Sequence, residues 1–411
     1  MMRPISVQLS PTIFFDDVLA ALSLLFSFHR LKNGPMVKAL EGRFQTMFHV
    51  ATAVAFNSGR SAELAILQCL GIGRGDEVLI QAFTCVAVPN SILWAGAQPV
   101  YVDVDTNGCT MSVADLERKI TKKTKAVIVQ HTFGYPNDME KIYACTQKHG
   151  LFLIEDCAHS LGNRDRVLLG TYGITSFFSF GRDKVISSVF GGMAITNDPE
   201  LGEKLRNAQE KLSMPKTGWI LQQLLHPVFF AFILPLYRLY IGKMLLVVLQ
   251  KMHLLSKPVD PMECQCLKPS NYPQKMPNAL ASLALHQLDK LPFFQKKRTD
   301  AAMLYREGLK SAAIKFFPDT REPLIRFSIR VSDASLLVSA AKKRGILLGR
   351  WYSHVVDPEG TNLLCAGYER GSCPSAELLA QEIVNLPTSP VLAVKEIKKV
   401  ISFIQSYYEK D

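Results

Sequence analysis

From residue 53 to 196 the chain repeats one pattern, in which short apolar runs alternate with amphipathic segments. The runs are "AVAF" (53–56), "EVLI" (77–80), "PVYVDV" (99–104), "AVIVQ" (126–130), "LFLIED" (151–156), "TSFFSF" (175–180) and "MAIT" (193–196). Continuous apolar runs of this length read as strands covered on both faces, because a half-exposed strand would alternate polar and apolar residues. Amphipathic stretches such as 62–70 and 112–120 read as the helices that cover them. The pattern therefore predicts an α/β fold with a mainly parallel sheet sandwiched by helices.

Beyond Gln209 the pattern changes. Residues 219–255 are rich in Leu, Phe, Val and Tyr around Pro227 and Pro235. After Pro269 the sequence predicts a long amphipathic helix (279–309), a strand (324–331), a helix (334–344) and a closing helix (394–407). Three parts are expected: a large α/β domain over 1–215, an apolar insert over 216–270, and a smaller α+β domain over 271–411.

The formal net charge of +11 favours anionic partners. The basic runs "KKTK" (122–125), "QKKR" (295–298) and "KKR" (342–344) carry no interleaved aromatic residues and read as solvated surface, which argues against nucleic acid. Nine cysteines without a CxxC pair fit reduced thiols in the cytosol, and no zinc site is expected. Asp16 and Asp17 precede the apolar patch 18–28 where a signal peptide would be basic, so this patch reads as a helix of the folded protein.

The chemistry gathers around "FFSFGRDKVISSVFGGMAITND" (177–198), which places Lys184 in the loop between two buried strands. Loops at strand ends hold reactive groups on a rigid frame. By itself Lys184 is one of 47 cationic residues, and a solvated lysine is the ordinary case. "NSGRSAE" (57–63) precedes an amphipathic helix, and Ser58, Gly59 and Ser61 stand where free backbone N–H groups would receive a phosphate, although the same turn could serve only as a cap. "EDCAHSLG" (155–162) puts Asp156 and His159 at the end of another strand. All three segments are expected at the carboxyl edge of the sheet.

In their order and spacing these segments resemble the DegT/StrS-type sugar aminotransferases, pyridoxal-phosphate enzymes of fold type I. The likeness also runs through "LQCLGIGRGDEVLIQAFTCVAVPNSILWAGAQPVYVDVD", "VIVQHTFGYPNDMEKI" and "CPSAELLAQEIVNLPTSP". The resemblance implies that the Lys184 amine joins the cofactor aldehyde as a Schiff base and later carries a proton. It implies that Asp156 pairs with the pyridine nitrogen. His159 would approach the ring, and Ser58, Gly59, Arg60 and Ser179 would surround the phosphate.

Two positions depart from the family. Cys85 stands where an aromatic ring usually stacks on the cofactor, with Phe83 on the same face if that segment stays extended. "PQKM" (273–276) replaces an Asn-Tyr-Arg-Met segment that reaches the partner subunit's phosphate, leaving Lys275 as the retained charge. A homodimer is implied.

The function implied is transfer of an amino group from glutamate or a similar donor to a nucleotide-linked keto-sugar, in the cytosol, within polysaccharide or cell-surface glycan biosynthesis. Tyr135, Trp351, Tyr352 and His354 are candidates for the sugar side. Two alternatives are a non-catalytic or regulatory protein of the same fold at the membrane, and a pyridoxal-phosphate sugar dehydratase, in which the lysine is replaced by His. The insert, interrupted by Pro227, Pro235 and Arg238, is expected not to span a bilayer. It would either lie in the headgroup region through peripheral membrane contact or act as a lid buried against protein.

Overall fold

The computed structural model describes residues 3–105, 107–310 and 314–409, apart from the Arg238 side chain. Its centre is a seven-stranded sheet. In chain order the strands are β1 (Thr52–Phe56), β2 (Glu77–Gln81), β3 (Gln98–Val102), β4 (Thr124–Gln130), β5 (Phe152–Asp156), β6 (Thr175–Ser179) and β7 (Gly192–Thr196). Their spatial order is β1-β7-β6-β5-β4-β2-β3. β7 runs antiparallel to both of its neighbours, and every other pair is parallel. Each of the seven apolar runs has become one strand. In β4 to β7 nearly every residue is buried, the burial on two faces that the absence of alternation predicts.

Two helices precede β1, α1 (Phe15–Leu25) and α2 (Met36–Phe48). Four follow it: α3 (Gly59–Cys69), α4 (Ala87–Ala95), α5 (Val113–Lys119) and α6 (Met139–His149). Ser58 ends the extended segment after β1 and accepts from the Ser61 N–H at 3.2 Å, so the helix starts where the strand stops. A cap of this kind contributes about 1 kcal/mol. α7 (Pro199–Glu210) begins in the same way, with Asp198 capping the Leu201 N–H and Pro199 in the first turn.

The expected long helix over 279–309 is two helices. After the insert, described next, come α10 (Asn278–Leu288) and α11 (Leu291–Gly308). Pro292 supplies no N–H and crowds the turn before it, so one helix stops at Asp289 and a second starts with the proline in its first turn. A three-stranded antiparallel sheet follows, made of β8 (Lys315–Phe316), β9 (Arg326–Arg330) and β10 (Ile383–Pro387).

The insert folds as a hairpin of α8 (Thr217–Leu236) and α9 (Ile241–Lys251). Contrary to expectation, Pro227 and Pro235 do not interrupt α8, which runs unbroken for 20 residues and is long and apolar enough to cross a bilayer. One face of it is instead buried in protein through Ile220, Leu224, Phe230 and Ile233, and α1 packs on it. Pro227 itself is buried on that face.

The run "QKKR" is also not uniformly solvated. Arg298 is 2 % exposed and donates to the Val185 carbonyl at 2.8 Å, while burial pushes its guanidinium down to about 9. Helical geometry turns it toward the core while Lys296 faces out to Asp300. All nine cysteines are free thiols.

Candidate active site

Strands β1, β5 and β6 point the same way, so their carboxyl ends share an edge with the start of β7. Ser58, Gly59, Arg60, Cys85, Asp156, His159, Ser179 and Lys184 all line one cavity of about 560 Å³ at this edge. Lys275 does not. Its backbone pairs with Phe56 beside the cavity. Trp351 and Tyr352 line the cavity as expected, whereas Tyr135 is buried against Phe317 and His354 bonds Ser353 at the surface.

Close packing shapes the phosphate end. A Cβ on Gly192 would come within 2.4 Å of the Ser58 backbone, and one on Gly59 within 2.9 Å of the Ser179 Cβ. Glycine at both positions lets β6, β7 and the start of α3 converge, and the N–H groups of the first helical turn have no partner within the helix. An anion fits there. The Arg60 guanidinium is already engaged by the Glu263 carboxylate and the Pro258 carbonyl.

Lys184 Nζ lies 2.8 Å from His159 Nε2. On the other side of the imidazole the Phe133 N–H donates to Nδ1 at 3.2 Å. The tautomer of the ring sets which of these two nitrogens carries its proton. Burial and the nearby Lys184 and Arg326 charges hold His159 well below the usual histidine range, which keeps it neutral. Asp156 accepts from the Ala158 N–H at 2.9 Å, and burial raises its carboxyl above the usual range against the pull of Lys184 and His131. A cationic ring nitrogen is the partner such a carboxyl lacks.

Phe83 does not replace the missing stacking ring. Its φ of 67° turns the segment out of the extended conformation, and the ring packs edge-on against Tyr352 and Phe133. Cys85 remains at the cavity wall as a thiol pushed up to about 11 by burial. Four groups that sequence reasoning missed also line the cavity: Glu63, Arg182, Lys257 and the insert's inner face, including Phe230, Leu246 and Gln250. Glu63 stood unassigned in "NSGRSAE"; the others carried no sequence signal, since their place depends on how the insert folds back.

The sheet order and a cavity at its carboxyl edge, lined by Lys184, Asp156 and a glycine-lined helix start, are the frame of a fold type I pyridoxal-phosphate enzyme. The profile of the DegT/DnrJ/EryC1/StrS aminotransferase family matches residues 17–224 and 249–405. The chain belongs to this family, and it is a pyridoxal-phosphate-dependent aminotransferase. The unmatched stretch, 225–248, is the tip of the insert.

Similar curated proteins include the GDP-perosamine synthase of Escherichia coli O157:H7, 28% identical over 92% of this chain and 91% of that protein. Another is the UDP-N-acetyl-3-dehydro-alpha-D-glucosamine 3-aminotransferase of Acidithiobacillus ferrooxidans, 28% identical over 95% of this chain and 93% of that one. Among solved structures, S. venezuelae DesV in complex with a ketimine intermediate is 25% identical, with a TM-score of 0.75 over 96% of this chain and 95% of that chain.

Proposed function

We propose that this enzyme transfers an amino group from an amino-acid donor, with glutamate the first choice, to the keto group of a nucleotide-linked sugar in cell-surface polysaccharide synthesis. The observation that carries the reading is the meeting of Lys184, Asp156 and His159 in one cavity, with the amine 2.8 Å from a neutral imidazole. The relatives named for GDP- and UDP-sugars support the substrate class.

The residues present fit pyridoxal phosphate. Ser58, Gly59 and Ser179 would hold its phosphate, Asp156 would face its ring nitrogen, and His159 and Cys85 would border the ring. Arg60 braces the cradle through Glu263. When bound, the cofactor supplies an aldehyde for the amine and a ring that accepts electrons from a deprotonated carbon. Lys184 would move a proton between the cofactor carbon and the substrate carbon, with the His159 ring beside its Nζ to orient it. Lys257 and Arg182, both at the cavity wall, suit a sugar diphosphate.

The chain acts as a homodimer in this reading, and the position of Lys275 beside its own cavity without lining it supports a role toward the partner's phosphate. We keep the division into 1–215, 216–270 and 271–411, which the seven-stranded sheet within 52–196, the hairpin within 217–251 and the three-stranded sheet within 315–387 support.

The insert is lid and membrane contact together. Its inner face closes the cavity, while Phe232, Tyr240, Ile241, Met244, Val248 and Met252 are exposed on the outside. No acidic residue occurs from 211 to 259, whereas Lys243 and Lys251 do, a charge pattern suited to anionic headgroups on the cytoplasmic leaflet. The activity is tested by half-reactions. Glutamate should convert the bound cofactor to its amine form, and a GDP- or UDP-linked keto-sugar should restore the aldehyde. Failure of every nucleotide-linked keto-sugar to do so would reject the substrate class.

A further inference from the structure

Glu63 lies in the first turns of α3, one turn beyond the phosphate cradle, and lines the cavity that holds Asp156. It is 1 % exposed, and its Oε1 has no hydrogen-bond partner among the described residues. A buried carboxyl oxygen left without a partner is costly, so its retention at a reactive site calls for a role. Arg60, one turn earlier on the same helix, is already engaged by Glu263 and the Pro258 carbonyl.

We propose that Glu63 is a positioning residue for Asp156: the two carboxyl groups form a coupled pair that holds one proton and one negative charge at the ring-nitrogen end of the cofactor site. This rests on the assignment of Asp156 to the ring nitrogen. Two carboxyls in one buried site cannot both ionise cheaply, so the second holds its proton as the first loses it. Burial first, then the Asp156 charge, pushes Glu63 well above the usual carboxylate range, while the Ser91 hydroxyl on α4 and Arg60 pull the other way. The other titratable groups lining the cavity are Arg60, Cys85, His159, Arg182, Asp183, Lys184, His226, Lys257, Tyr352 and Asp357.

The proton count is closed. With the cofactor bound, Asp156 would be the carboxylate facing the ring nitrogen and Glu63 would hold the pair's one proton. On alkalinisation Glu63 ionises, and the second negative charge strengthens the hold on the ring proton.

The test uses holoenzyme loaded with nitrogen-15 ring-labelled pyridoxal phosphate, whose ring-nitrogen chemical shift is followed against pH in wild type and in the isosteric Glu63→Gln. The wild type should titrate in two steps and the variant in one, because the amide cannot ionise. Identical titrations would overturn the proposal. So would a loss of cofactor affinity beyond about tenfold at pH 7, which would make Glu63 a charged ligand. Borohydride fixation in the same samples separates the two readings: if the label misses Lys184, the site assignment itself fails, whatever Glu63 does.

Discussion

Arg326 Nη2 donates to Asp183 Oδ2 at 2.9 Å, which ties strand β9 of the smaller sheet to the residue immediately before Lys184. The guanidinium also lies over the Trp351 ring, 3.3 Å from its centroid, and burial lowers it to about 10. The loop that carries the lysine is thus held from both sides, with Arg298 of α11 bonding the Val185 carbonyl just after it.

The two halves of this pair are not equivalent. Arg326 is 1 % exposed, whereas the Asp183 side chain is 17 % exposed and can regain water. Asp183→Asn strands a buried cation and should cost about 3 kcal/mol, while Arg326→Met fills the volume with apolar atoms and should cost about 1 kcal/mol. Urea unfolding of both variants checks the order, and a larger loss in Arg326→Met would contradict it.

Gly192→Ala should weaken pyridoxal phosphate binding by more than about tenfold, because the new methyl group meets backbone atoms of Ser58 that cannot yield. Gly218→Ala, with open space around it, is the control and should leave binding unchanged. Equilibrium dialysis of the cofactor decides between them.

Stability should fall on acidification partly through His159. Its folded pKa lies well below the ordinary 6.5, so below that pH the unfolded chain takes up a proton that the folded chain refuses. Stability then rises with pH across the window between the two values, by at most about 1.4 kcal/mol per unit for this group. His226 is lowered in the same sense, and the raised carboxyls of Asp156 and Glu63 act oppositely from their unfolded values upward. The difference between wild type and His159→Gln isolates the single group: the variant should show the shallower slope between pH 5.5 and 6.5, as measured by urea midpoints. Parallel slopes would mean that His159 is protonated in the fold.

Met244→Lys with Val248→Glu, both on the outer face of α9, should abolish sedimentation with anionic phospholipid vesicles and leave turnover of a soluble substrate within about twofold. Retained vesicle binding would remove the membrane reading. A change from dimer to monomer without vesicle binding in the wild type would assign the same face to a second copy.

The large sheet was legible because continuous apolar runs have few other uses: "MAIT" at 193–196 became Gly192–Thr196, and "AVAF" became Thr52–Phe56. Every motif residue that lines the cavity lies on those strand ends or in the segments just after them, and Lys275, which does not line it, lies far from them in sequence. The insert was legible as apolar but not as a hairpin. A helix that is apolar on all sides gives no period to say which face turns inward, and Pro227 looked like a break while sitting within α8. Phe83 was misplaced for a local reason, since a positive φ at a phenylalanine has no signature in sequence. Glu63 was passed over because its meaning depends on Asp156, 93 positions further along the chain.

The most direct test of the account is reduction of the yellow holoenzyme with borohydride, followed by peptide mapping. The cofactor should be fixed to the peptide containing Lys184 and to no other, and Lys184→Ala should neither retain label nor turn over. Label on a different lysine, or a colourless protein that still transfers amino groups, would contradict it.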